Sequence, residues 1–94
     1  MKEEILFEIP HLKLIKIQGG EYCLVIEDTE VCDFVEDVLS EKYNIQSDKI
    51  EADFDKEIAV YYQYFKLDFD VQNLMNALHK IDAKEIKSIY EINN

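Results

Sequence analysis

A chain of 94 residues suffices for one domain and is too short for a second core, so residues 1–94 are read as a single unit. A hydrophobic fraction of 48% with only two glycines and one proline excludes disorder and low-complexity linker, because the apolar surface can offset the entropy of ordering the chain. Lysines number ten, arginine is absent, and 21 acidic residues bring the net charge to −11, which argues against direct nucleic-acid binding through phosphates.

Ile5, Phe7 and Ile9 alternate on one side of a short strand that Pro10 ends, since proline cannot continue a ladder. Leu12 to Ile17 forms a second strand, and Gln18-Gly19-Gly20-Glu21 supplies the positive φ angles of a tight hairpin. Tyr22 to Ile26 follows as a strand apolar on both faces. Asp28 or Thr29 caps a helix over 30–43, where Val31, Phe34, Val35, Val38 and Leu39 recur at helical spacing. Glu30 near its start and Lys42 near its end both complement the helix dipole.

Further on, Ile50, Ala52 and Phe54 alternate with Lys49, Glu51 and Asp53, the pattern of a half-exposed strand. Asp55-Lys56 turns the chain into Ile58–Phe65, a strand dense in β-branched and aromatic residues. Asp68 or Asp70 caps a second helix, whose stripe is Val71, Leu74, Met75, Leu78 and Ile81. The segment 85–92 reads two ways: Ile86, Tyr90 and Ile92 fit a strand face, whereas Ile86, Ile89 and Tyr90 fit a helical one. Topology favours the strand, because β-branched residues dominate and a helix would leave the third segment of the second unit missing, and both readings stay open.

Val31, Phe34, Val35 and Val38 map onto Val71, Leu74, Met75 and Leu78 at a constant offset of 40. Each block has an apolar strand before it and a candidate strand after it. This order over about residues 22–92 resembles the ferredoxin-like βαββαβ arrangement, two split βαβ units in tandem. The resemblance implies an α+β fold in which two helices cover one face of an antiparallel sheet. An N-terminal β-hairpin extends that core. The first strand of a ferredoxin-like sheet has neighbours on both sides, so either the hairpin covers another part of the sheet or the strand order differs.

The charge is concentrated. Residues 27–57 hold twelve acids and three lysines, a net −9, while the other 63 residues sum to −2. Glu30, Asp33, Glu36, Asp37 and Glu41 occupy the helix side away from the apolar stripe, with neighbours about 5–6 Å apart. Like charges at that spacing repel by a few tenths of a kcal/mol per pair. A solvated face kept soluble by charge is one reading. The sharper one is a surface for a basic partner, in which carboxylates stand in for a phosphate backbone as a DNA mimic does.

Tyr61, Tyr62, Tyr64 and Phe65 crowd one strand. The three tyrosines mark a candidate dimer or partner face, because their rings are apolar and their tips polar.

No catalytic, metal or cofactor site is expected. His11 sits in a turn and His79 on a helix edge, with nothing in their spacing to make a Cys–His pair with Cys32. Asp53, Asp55 and Glu57 lack the glycine and terminal glutamate of a calcium loop. Gly19-Gly20 has no lysine or helix start behind it to cradle phosphate. Cys23 and Cys32 read as buried thiols of a reducing compartment. The acidic start Met1-Lys2-Glu3-Glu4 is unlike a secretory signal, and no stretch reaches the about 20 apolar residues of a membrane span. A cytoplasmic location, in a bacterium or after phage delivery, is therefore expected.

These readings lead to a small, acidic, non-enzymatic protein that occludes a basic, nucleic-acid-handling partner through the 27–57 surface. A phage inhibitor of a bacterial defence nuclease (the anti-CRISPR role) and an immunity protein against a nuclease toxin both fit. The alternative is a ferredoxin-like regulatory or ligand-binding domain that dimerises through its sheet.

Overall fold

In the computed structural model, which describes residues 4–17, 20–55, 57–66 and 70–93, the chain forms five strands and three helices. They run β1 (Glu4–Ile9), β2 (Leu12–Lys16), β3 (Tyr22–Glu27), α1 (Thr29–Tyr43), β4 (Lys49–Asp53), β5 (Val60–Phe65), α2 (Val71–His79) and α3 (Ala83–Asn93). All neighbouring strands are antiparallel and the sheet order is β1-β2-β3-β5-β4. The class is α+β, as the alternation of patterns implies.

The sheet has two unequal faces. Register places Leu14 beside Leu24 and Leu12 beside Ile26, and pairs Tyr22 with Phe65. These side chains form one core with Val31, Val35 and Leu39 of α1, Leu74 and Leu78 of α2, and Ile86 of α3. All three helices therefore lie on the same face. The shortest dimension, 19 Å, is that of one sheet and one helix layer, each helix being about 10–12 Å across with its side chains. The opposite face, with Ile15, Cys23, Val25, Tyr62 and Tyr64, has no described helix over it.

The second half departs from the βαββαβ expectation. β3 and β4 both run antiparallel to β5, which lies between them, so β3-α1-β4 is one split βαβ unit. The place beside β3 that a C-terminal strand would take is held by β2 of the N-terminal hairpin. That settles the edge conflict: the hairpin is part of the sheet, and the strand expected over 85–92 is instead the helix α3. Asp82 starts it, its carboxylate accepting from the Lys84 N–H at 2.9 Å and its carbonyl from Glu85 and Ile86. Ile86 is fully buried and Ile89 and Tyr90 pack on the core at helical spacing, while Ile92 is 79% exposed. The offset of 40 thus repeats a helix stripe, not a whole βαβ unit.

Smaller corrections follow from local geometry. A bulge between Ile5 and Phe7 breaks the alternation of β1, so Phe7 pairs with Leu14 on the helix face while Ile5 pairs with Ile15 on the other. Phe54 lies beyond the end of β4, and β5 starts at Val60 rather than Ile58. Asp70 caps α2, accepting from the Asn73 N–H at 3.2 Å. Gly20 has φ 110°, as a tight hairpin requires, while Gln18, Gly19, Lys56 and Asp68 lie outside the described residues.

Candidate interaction surface

The junction of β3 and α1 fixes where the acidic helix points. Asp28 is buried, and its carboxylate accepts from the N–H groups of Glu30 (3.1 Å) and Val31 (3.2 Å), satisfying two free donors of the first turn. Its own N–H donates to the Ala59 carbonyl at 2.7 Å, which ties the cap to the strand layer. The backbone there has φ 84° and ψ 139°, a region that costs a non-glycine residue about 1–3 kcal/mol, so the caps and core hold it in place. At the other end, Asn44 adopts the left-handed conformation at φ 56° and its N–H bonds the Leu39 carbonyl.

Between these caps α1 buries Val31, Cys32, Val35 and Leu39 and leaves Glu30, Asp33, Glu36, Asp37 and Glu41 exposed. The described lysine ion pair is Lys49–Glu51 at 3.7 Å, and His11 bonds Glu27 at 3.0 Å, so no described lysine pairs with the five helix carboxylates. The structure brings these five together on one helix.

Glu27, Asp28, Asp48, Glu51 and Asp53 do not project from that helix face. Glu27 accepts from His11 Nδ1, Asp28 is the buried cap, and Asp48 accepts from the Lys66 N–H at 2.9 Å. Glu51 and Asp53 pair with Tyr62 and Val60, on the sheet face that the helices leave open. The reason is the strand period of two, which sends alternate residues of β4 to opposite sides. The 27–57 surface is therefore two acidic surfaces that meet at the β4 edge.

A groove of about 340 Å³ runs between α1 and β4, lined by Glu36, Asp37, Leu39, Ile45, Ile50 and Gln63. Gln63 is 2% exposed, and its Nε2 donates to the Cys32 Sγ at 3.7 Å beneath α1. Burial pushes the Cys32 thiol from 9.0 up to about 11, the bond from Gln63 acting in the opposite sense and the carboxylates of Glu36 and Asp33 adding a further rise. The thiol is thus protonated and a weak nucleophile near neutral pH. Gln63 escapes notice in the sequence, although a lone amide between Tyr62 and Tyr64 is the signal that could have marked it.

The three tyrosines are split between faces. Tyr61 turns toward the helices, where its hydroxyl lies 2.8 Å from Thr29 Oγ1 and its ring meets Phe54 edge-on at 6.0 Å. Tyr62 and Tyr64 lie on the open face, with the Lys49 ammonium 4.9 Å from the Tyr64 ring. Burial pushes the Tyr64 phenol up to about 12, and its bond to the Glu51 carboxylate acts in the same sense. A single face of three tyrosines is not what the structure shows.

At the far end of the sheet, the His11 ring stacks on Tyr90 at 3.6 Å and its Nδ1–H donates to Glu27. His11 has φ 70° in the β1–β2 turn, beside an open recess of about 460 Å³. His79 meets Phe7 edge-on at 4.9 Å, so each histidine has a packing partner. Cys23 and Cys32 are both free and buried. Among the described residues no three His, Cys, Asp or Glu side chains gather as a metal site requires, and no helix is long and apolar enough to cross a membrane. Comparison with known proteins identifies no relative: no family model, curated protein or solved structure matches this chain.

Proposed function

We propose that this chain is a non-enzymatic, cytoplasmic binding protein that occludes a basic, nucleic-acid-handling partner through the acidic face of α1. One observation carries the reading: Glu30, Asp33, Glu36, Asp37 and Glu41 project from one helix with no described lysine paired to them. The arrangement works against the stability of the isolated helix, because carboxylates three and four apart repel. A partner whose lysines and arginines normally hold phosphates relieves that repulsion on binding, and the field of the face speeds its approach. An inhibitor of a defence nuclease and a nuclease-immunity protein share this requirement.

The test compares two variants of equal net charge. One carries Asp33, Glu36, Asp37 and Glu41 all changed to lysine; the other carries the same change at Glu4, Glu8, Glu85 and Glu91. Binding of a labelled oligolysine peptide at low salt, read by anisotropy, is expected to fall at least tenfold in the first variant and far less in the second. Equal losses in both would leave only a diffuse polyanion and remove the proposal.

The sheet face that no described helix covers supports the second reading, a regulatory or ligand-binding domain that dimerises through its sheet. Val25, Tyr62 and Tyr64 lie there with only partial burial. Light scattering decides between them. A dimer that Tyr62→Lys converts to monomer favours this alternative, and a monomer at all accessible concentrations favours the first.

A further inference from the structure

We propose that the open edge of β4 receives an extended basic segment of the partner as an added strand. In this arrangement the segment's apolar side chains enter the groove beside α1 and its cations face the carboxylates on the open sheet face. The sign of the partner's charge rests on the acidic-surface reading above; the docking mode rests on the edge itself.

The two edges of the sheet differ. β1 is broken by the bulge at Ile5 and Phe7, and bulges are one way in which proteins protect an edge from further pairing. Its helix-side Phe7 is already covered by the His79 ring. β4 pairs with β5 in unbroken register from Lys49↔Tyr64 to Asp53↔Val60, and no described strand lies beyond it. Its one lysine is engaged with Glu51 and the Tyr64 ring. β4 is therefore the edge left able to template a strand.

Side chains next to that edge define what fits. On the helix side, Ile50 is 45% exposed over the groove that Leu39 and Ile45 line, and Phe54 just beyond the strand is 69% exposed. On the other side, Glu51 and Asp53 are at the open face. A strand added about 4.8 Å away alternates between these environments, so every second side chain meets apolar surface and the intervening ones meet carboxylates. Glu36 and Asp37 on the groove rim add attraction for cations that flank the segment. A segment of alternating apolar and lysine or arginine residues satisfies both sides. A second copy of this chain fits less well, because it brings a charge of −11 of its own; pairing antiparallel about Glu51 sets Glu51 against Glu51, although it also sets Lys49 against Asp53.

The probe is a capped peptide of alternating valine and lysine, kept dilute, with two comparison peptides: one with glutamate for lysine, and one N-methylated so that both edges lack donors. The valine–lysine peptide is expected to bind, to slow exchange of those amides of residues 49–53 that do not already bond to β5, and to lose at least tenfold in affinity on N-methylation or with Ile50→Asn. If the N-methylated peptide binds equally, or β4 exchange is unchanged, while binding still falls with salt and with lysines on α1, the edge proposal fails and the acidic-surface reading stands. Failure of every cationic probe to bind at low salt overturns both. Binding of the glutamate peptide, or β4 protection that grows with protein concentration alone, contradicts the basic occupant and indicates an uncharged specificity or self-pairing instead.

Discussion

Asp28 joins β3 to α1, since its carboxylate accepts from the first turn of the helix and its N–H donates to the Ala59 carbonyl. Replacing a capping aspartate by alanine costs about 0.5–2 kcal/mol, whereas glycine costs only a few tenths. At φ 84° the difference widens, because alanine keeps the backbone penalty that glycine avoids. Chemical denaturation is therefore expected to rank Asp28→Gly well above Asp28→Ala, and equal losses would show that the positive φ contributes nothing. Cys32 supplies a pH test. Its folded pKa of about 11 exceeds the ordinary 9.0, so its contribution is complete below pH 9 and is lost as pH rises toward 11. The stability difference between the native chain and Cys32→Ala should shrink across that window; a constant difference would contradict the burial of the thiol.

At the scale of elements, α1 carries a self-repulsion that substitution can release. Asp37 is four residues from both Asp33 and Glu41, so Asp37→Lys turns two repulsive pairs into attractive ones, each worth about 0.2–0.5 kcal/mol. A rise in Tm at low salt that fades at high salt is expected, and a fall in Tm would indicate an unrecognised partner for Asp37. The C-terminal element is tested by a pair of truncations. Ile86→Ala should cost about 2–5 kcal/mol and Ile92→Ala almost nothing, since Ile86 is fully buried and Ile92 is 79% exposed. Equal costs would restore the strand reading of 85–92. That segment is also the one whose structure its local pattern does not determine. The stripes of α1 and α2 and the runs of β2, β3 and β5 are visible locally, because one face of each meets the core. Whether Ile86, Ile89 and Tyr90 become a helix depends on β2 already filling the position beside β3, a fact of the whole sheet that no window of residues contains.

Across the whole molecule, ten of the twelve acidic residues of 27–57 fall into three groups that the sequence shows only as one run. Glu30, Asp33, Glu36, Asp37 and Glu41 project from α1; Glu51 and Asp53 sit on the reverse of the sheet, Glu51 beside Lys49 and Asp53 accepting from the Asp55 N–H; Glu27, Asp28 and Asp48 are bonded to His11, the first turn of α1 and the Lys66 N–H. Helical spacing made the first group legible. The strand period separated the second, and the pairing of distant segments, His11 with Glu27 and Lys66 with Asp48, claimed the third. The tyrosines were divided by the same period of two, with Tyr61 beneath the helices and Tyr62 and Tyr64 opposite. What remains is a molecule with one continuous acidic helix face, an acidic reverse side, and a regular open edge where the two meet. The account is tested most directly by an NMR titration with hexalysine at low salt. It predicts amide shifts concentrated in residues 30–41 and 49–53, removed by moderate salt. Shifts spread evenly over the acidic residues of α3 and the N-terminal hairpin as well would contradict it.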